Sequence, residues 1–418
     1  MVKMNRLMAA MAVAGLAMPF AAHATDGMFS SGYGMTANGM GGAATAMAED
    51  AFGGANNPAS MAFVGNRLDL GASLFSPRRS ASVYQGTPSA YSESSDANYF
   101  IIPEFGYNHM VTKDVALGVS MYGNGGMNTD FAPMANGYNF FGGKGNLGVN
   151  LIQMIVAPTA SWKINDNNSI GIAPLLAYQQ FTAQGLSGFE GFSSNPTHMT
   201  NTGTDSSTGV GVRVGYMGKI TPTLTFGAQY ASKITMSKMS DYSGLFANQG
   251  ELDMPENYSV GLAWKTTKDL TLALDYQEIN YSGVAAIGDS SSVPLPFGAT
   301  NGPGFGWQDI GVWKLGAEYK YNDNWTLRAG WNHCDNPVTA SNVQLNVLAP
   351  GVIEDHITLG GSYTTASGNE WTFAYIHAFQ NSLSGAGTAY PGGVPTPYGT
   401  DTIRMYQDTV GIEYTWKL

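Results

Sequence analysis

Charge is what this 418-residue chain has least of: Asp, Glu, Lys and Arg together make up only 12% of it, about half the usual globular share. An ordinary soluble surface is not expected. A single cysteine, Cys334, excludes any internal disulfide, so the fold must hold without covalent staples. After the first two dozen residues no stretch reaches the roughly 18 uninterrupted apolar residues of a membrane helix; even 147–162 is broken by Asn150 and Gln153. Signatures of chemistry are scarce as well. His109, His198, His333, His356 and His377 include no i, i+4 pair of the kind that binds a metal on a helix, and they read as polar residues of strand ends and loops. Gly118-Val119-Ser120-Met121-Tyr122 fails the Gly-x-Ser-x-Gly elbow at its last position. Cys334 has no charge pattern to activate it. Gly209-Val210-Gly211 with Gly215 has the wrong spacing for a nucleotide loop. No catalytic residue, metal or cofactor is expected, and the chain does not read as an enzyme.

What is abundant is glycine, at 54 residues, with 12% aromatics and 44% hydrophobic residues, which excludes a disordered chain. Lys3 and Arg6 precede the apolar run 7–22, and Ala22-His23-Ala24 supplies the small residues of a cleavage site. Residues 1–24 therefore read as a signal peptide. Its removal takes two bases and no acid and leaves a net charge of -13, which disfavours nucleic acid as a partner.

Strict alternation recurs along the rest of the chain. Val410, Ile412, Tyr414, Trp416 and Leu418 share one strand face, and Thr409, Gly411, Glu413, Thr415 and Lys417 share the other. The same period recurs from Tyr258 to Trp264, Leu270 to Tyr276, Trp313 to Tyr319 and Trp325 to Trp331, with Lys265, Asp275, Lys314, Glu318 and Arg328 on the opposite faces. Alternation alone leaves a secreted sandwich and a membrane barrel open. Loop lengths separate them. Short polar turns near residues 113, 166, 222, 267, 323 and 367 alternate with long Gly, Ser and Pro-rich connections such as 85–98, 124–146, 184–205, 283–307 and 382–400, the asymmetry of an outer-membrane barrel. Trp162, Trp264, Trp325, Trp371 and Trp416 all lie beside a short turn or the C-terminus, where an aromatic girdle meets the interface. The expectation is an all-β fold: a transmembrane antiparallel β-barrel of about fourteen strands over residues 66–418, in the bacterial outer membrane. Residues 25–65 do not alternate and are rich in Gly, Ala and Met; they are expected to plug the lumen.

Ser31-Gly32-Tyr33-Gly34, Gly41-Gly42-Ala43, Ala48-Glu49-Asp50 and Asn57-Pro58-Ala59 resemble, in that order, the hatch of the FadL-type family of outer-membrane transporters for long-chain fatty acids and hydrocarbons. Gly126-Met127-Asn128-Thr129-Asp130-Phe131 is similar to the stretch after the kink in that family's third strand, and Asn322 to Gly330 with Asp335-Asn336-Pro337-Val338 to a late hairpin. The resemblance implies a hatch-gated channel for passive diffusion of fatty acids or aromatic and aliphatic hydrocarbons, with a lateral wall opening. Asn57, Pro58 and Ala59 would then form the hatch gate, and Gly123, Asn124, Gly125 and Gly126 the kink at the opening.

Proline fixes its own φ and biases Asn57 to an extended conformation, so a rigid corner is expected, with the Asn57 amide serving backbone groups left unpaired by the wall kink. Met236, Met239, Tyr242, Leu245 and Phe246 recur at spacings of about three and four, as on one face of a helix. That face either packs on neighbouring loops or joins Leu186, Phe189 and Phe192 in a greasy capture site for hydrophobic substrate, with Lys233 and Lys238 beside it. From residue 99 to 107 and from 151 to 156 both strand faces are oily, as on a hydrophobic path or a surface packed against the hatch. Expected partners are a hydrophobic small molecule, outer-membrane lipid and lipopolysaccharide, and the barrel assembly machinery, whose signal the Tyr414 and Trp416 alternation resembles. A monomer is expected. A lipid-hydrolysing barrel enzyme and a general porin or adhesin are the alternatives.

Overall fold

The computed structural model describes residues 26–389 and 396–418; the expected signal peptide, 1–24, lies outside them. Among the described residues sixteen strands form one sheet, and two of these, Tyr91–Ser94 and Thr235–Met236, are short rim additions to a ring of fourteen. The ring runs β1 (Arg67–Gln85), β2 (Phe100–Met110), β3 (Val115–Phe131), β4 (Leu147–Asn165), β5 (Asn168–Gln184), β6 (Asp205–Thr221) and β7 (Leu224–Ala231). It continues with β8 (Asn257–Lys265), β9 (Leu270–Ile279), β10 (Ile310–Lys320), β11 (Trp325–Cys334), β12 (Asp355–Thr364), β13 (Glu370–Ala389) and β14 (Thr396–Lys417). Every pairing is antiparallel, and β14 returns to β1 with Arg67 opposite Lys417 and Ser82 opposite Thr402, which closes the barrel. Closure pairs the first strand of the ring with the last, so the sheet has no free end strand for lipid to meet. Among the described residues no helix is long and apolar enough to cross a membrane; strands do the crossing.

The period-two faces explain the low charge content. Leu74, Leu117, Ile170, Trp264, Leu315, Leu359 and Val410 point outward and are exposed, while Arg67, Asp69, Arg213, Asp275, Lys314, Arg328 and Glu413 point inward and are buried. Few charges suffice because the lipid-facing band of the outer face needs none. The tryptophans beside the short turns follow the expected girdle: Trp162, Trp264, Trp325 and Trp371 are exposed.

One part of the wall breaks the pattern. β2 pairs with β1 from Phe100 onward, but with β3 only from Phe105 opposite Met121 to Met110 opposite Ala116. From Tyr122 to Phe131, β4 is the one strand of the ring that β3 pairs with, and its register shifts by a bulge between Gly123 and Gly125. The result is a slit in the loop-side half of the wall, at the glycines the sequence singles out. The doubly oily strands flank it: Ile101 faces out, Ile102 packs on Phe75, Leu151 faces the upper lumen and Ile155 packs in a cluster with Tyr33 and Ala55 of the N-terminal segment.

Candidate functional site

Residues 26–65 are buried almost throughout, and their hydrogen bonds reach strands all round the barrel. A rule is visible in those bonds: wall carboxylates accept from the segment's backbone N–H groups, and wall bases and amides donate to its carbonyls. Asp275 on β9 accepts from Ala44 N and Thr45 N, both at 2.8 Å. Asp69 on β1 takes Ala51 N at 2.7 Å, and Glu413 on β14 takes Met35 N at 3.1 Å. In return Lys314 donates to Ser31 O at 2.6 Å, Arg213 to Gly54 O at 2.9 Å, and Asn108 to Met61 O at 2.9 Å. Charge-assisted bonds of this kind are roughly twice as strong as neutral ones. They hold the segment by its backbone, whatever its small side chains are.

The Asn57 corner is extended, with φ -147°. Its Oδ1 caps the short helical turn Pro58–Ala62 by accepting from Ala59 N at 3.1 Å, and its Nδ2 donates to Thr45 O at 2.7 Å and to Tyr216 O on β6 at 3.0 Å. Ser161 and Ser169 hydroxyls donate to Ala59 O at 3.1 and 2.8 Å. The expectation that Asn57 serves the wall kink is corrected here: the corner seats on β4, β5 and β6, and its amide reaches Tyr216 O on β6 instead of the kink in β3. The paired glycines Gly171 and Gly215 make that seat, since a Cβ on Gly215 would lie 2.0 Å from Asn57 Oδ1 and one on Gly171 2.3 Å from the Pro58 carbonyl carbon.

At the slit a different part of the segment is engaged. Phe29 forms a β-bridge with Gly125, and a Cβ there would meet Met28 O at 1.9 Å. Tyr33 donates its hydroxyl to Asn124 O at 3.3 Å, and its ring lies 4.5 Å from that of Tyr122. Of the four kink residues, Asn124 and Gly125 are thus met directly by the tip of the buried segment.

Above it lies a large apolar cluster. The expected single helix over 236–246 is replaced by the bridge strand Thr235–Met236, a helical turn Ser240–Tyr242 and further turns, because glycine at 244 and repeated serines favour turns over a continued helix. An exposed apolar face is likewise not found. Met239, Tyr242, Leu245 and Phe246 are buried in one cluster with Leu186 and Phe189, with Phe192 packed against it, while Met236 belongs to a separate cluster under β6. The Phe181 ring sits 4.7 Å from both Tyr242 and Phe246, and Tyr242 donates to Gly203 O and accepts from Ala183 N. Lys233 pairs with Asp253 at 3.2 Å and Lys238 donates to Asn248 O, so both lysines are engaged. The same cluster takes in Phe246, Val149 and Leu151 on β4, and Met28 and Phe29 of the buried segment.

On the turn side of the segment, burial pushes the Asp50 carboxyl up to about 6, with the Asp69 carboxylate adding to the shift and Arg67 opposing it. The wall residues that anchor the segment are missed as a site by sequence reasoning. Asp275, Lys314 and Glu413 are visible only as charges on the faces opposite the apolar ones, and nothing local says what they meet.

A closed ring of fourteen strands with an apolar exterior and a filled, partly charged lumen defines an outer-membrane β-barrel. The chain belongs to the family of outer membrane protein transport proteins described as OMPP1/FadL/TodX, whose profile matches residues 11–389. The fold is that of several solved structures of low identity. The Pseudomonas putida toluene transporter TodX is 18% identical with a TM-score of 0.67 over 93% of this chain and 99% of its own. A Pseudomonas aeruginosa FadL homologue is 17% identical with a TM-score of 0.70 over 94% and 99%. The Ralstonia pickettii toluene transporter TbuX is 19% identical with a TM-score of 0.63 over 92% and 98%. No curated protein sequence matches the chain significantly.

Proposed function

We propose that the protein is a hatch-gated channel that lets hydrophobic small molecules cross the outer membrane by passive diffusion, with 25–65 as the hatch and the slit beside Gly123–Gly126 as a lateral exit. The observation that carries this reading is the continuity of the apolar cluster from the loop residues Leu186, Phe189, Met239, Tyr242, Leu245 and Phe246 down to Met28 and Phe29, which rest on Gly125 at the slit. A solute entering at the loops meets apolar side chains all the way to the wall, and leaving sideways it stays in an oily medium. Met and aromatic residues accept varied apolar shapes because they repack without polar demands. The relatives named as toluene transporters and as a FadL homologue support monoaromatic hydrocarbons or long-chain fatty acids as the substrate class. A general porin would leave the lumen open to ions, which the anchored hatch opposes.

The test is Gly125→Ala in cells and in planar bilayers. Its methyl displaces the hatch tip, so toluene or laurate uptake should change several-fold while ion conductance through the wild type stays low. Wild-type uptake in this variant, with the barrel folded by heat-modifiable mobility, would remove the slit from the route. Porin-like conductance of the wild type would overturn the hatch.

A further inference from the structure

The outer face of the barrel is not uniform at its loop-side rim. On the β7 to β12 side it is acidic, with Glu256 and Glu278 held by the hydroxyls of Tyr230 and Tyr276 and Asp355 by His333. On the β13, β14 and β1 side it carries two arginines. Arg78 on β1 lies opposite Tyr406, and Arg404 on β14 lies opposite Ser80, so the two are diagonal neighbours, about 7–8 Å apart across the ladder. Arg78 stacks over the Tyr99 ring at 4.8 Å and donates to its hydroxyl, which fixes the guanidinium and leaves further N–H donors free. Arg404 is exposed and has no side-chain hydrogen bond or ion pair among the described residues. Asp408, opposite Ser76 and so the other diagonal neighbour of Arg78, is held by His377 at 2.8 Å and Tyr375 at 2.7 Å; its charge acts on Arg78 without a direct ion pair and leaves Arg404 unmatched.

The height of the pair says what it meets. Arg78 is ten residues beyond Leu68, which pairs with the girdle residue Trp416; ten residues span about 33 Å of strand, or about 25 Å of height at a tilt near 40°. That is the full apolar band, so Arg78 stands at its outer edge and Arg404 just above it. Beyond this level the same face turns to hydroxyls, with Ser382 and Ser80 beside Arg404 and Ser384 and Ser82 beside Thr402. Two arginines amid hydroxyls, at the depth of the outer-leaflet headgroups, complement a phosphorylated sugar.

We propose that Arg78 and Arg404 form a docking site for the phosphorylated glucosamine headgroup of a lipopolysaccharide molecule, which they hold on the wall that borders the slit. Guanidinium forks bind phosphate directly and with defined geometry, whereas the acidic side can bind the same lipid only through bridging divalent cations. The lipid so held lies next to β2, whose Phe100 edge lines the slit, and its acyl chains are the first medium an exiting solute would meet.

The test uses the full protein, purified in detergent, with bisphosphorylated lipid A as probe and a chelator present to remove cation bridges. Wild type should bind it, the double variant Arg78→Gln/Arg404→Gln should bind at least about tenfold more weakly, and Asp355→Asn on the acidic side should bind as wild type does. Lipid A stripped of both phosphates should bind wild type no better than the double variant binds the intact lipid. Heat-modifiable mobility confirms the fold of each variant. Wild-type affinity in the double variant would overturn the site, and so would equal binding of the dephosphorylated lipid. Neither outcome bears on hydrocarbon uptake, so the channel reading stands or falls separately.

Discussion

The two halves of the lumen hold their contents by different physics. Toward the short turns, the hatch backbone is gripped by charged wall residues at fixed distances, as Asp275 grips Ala44 and Thr45 and Lys314 grips Ser31. Toward the long loops, Phe181, Tyr242, Phe246 and their neighbours pack without direction. Hydrogen bonds fail when an atom moves by an ångström, whereas apolar contacts trade partners at little cost. The lower half is therefore built to stay in one state, and the upper half to yield to a guest.

The sharpest way to break this contrast is to remove one directional anchor. Asp275→Ala deletes two charge-assisted acceptor bonds, each worth about 1.5–3 kcal/mol, so about 3–6 kcal/mol of hatch docking is lost. Planar bilayers should show a steady ion leak while the barrel stays heat-modifiable. A silent bilayer would mean the anchors are redundant.

Phe246→Ala probes the other half. It should cost about 3 kcal/mol of loop packing and weaken capture of toluene or a fatty acid in a binding assay, with no ion leak. Because these side chains are buried and not displayed, the loops should also become more sensitive to protease, and a variant with both an unchanged loop and unchanged capture would separate the cluster from the route.

Asn57→Ala tests the seam between hatch and wall. Three bonds disappear, at about 1 kcal/mol each, so leak conductance should rise less than for Asp275→Ala, with surface expression unaffected. If conductance and uptake both match wild type, the corner is a plain turn.

The smallest effect expected is that of pH. Asp50 titrates at about 6 in the docked hatch against an ordinary 3.8. Its docked-state value is raised, so its stabilising contribution is complete below about 4 and is lost as pH rises through 6. Burial also pushes the neighbouring Glu49 up to about 8, which acts in the same direction, so leak should be lower at pH 5 than at pH 8, and Asp50→Asn should reduce that difference without abolishing it. A leak that falls as pH rises would reverse the assignment.

Much of the architecture is legible because its signals are local. The alternation from Val410 to Leu418 and the turns near residues 166 and 323 are read within a few positions, and each is where the ring places a strand or a turn. The bulge at Gly123 to Gly126 is legible for the same reason. The 236–246 segment misleads because its spacing of apolar residues suits a helix, while the packing that decides its shape comes from Phe181 and Ala183 on another strand.

By itself the sequence determined that the chain crosses a membrane in strands, how many there are and which faces meet lipid, because a period of two and the chemistry of turns act over neighbouring residues. Only the tertiary structure decided which charge grips which part of the hatch, where the Asn57 corner sits and which loop side chains reach Phe29. Those contacts join residues such as Ala44 and Asp275, 231 positions apart, and exist only once closure of the ring has turned both toward the same lumen.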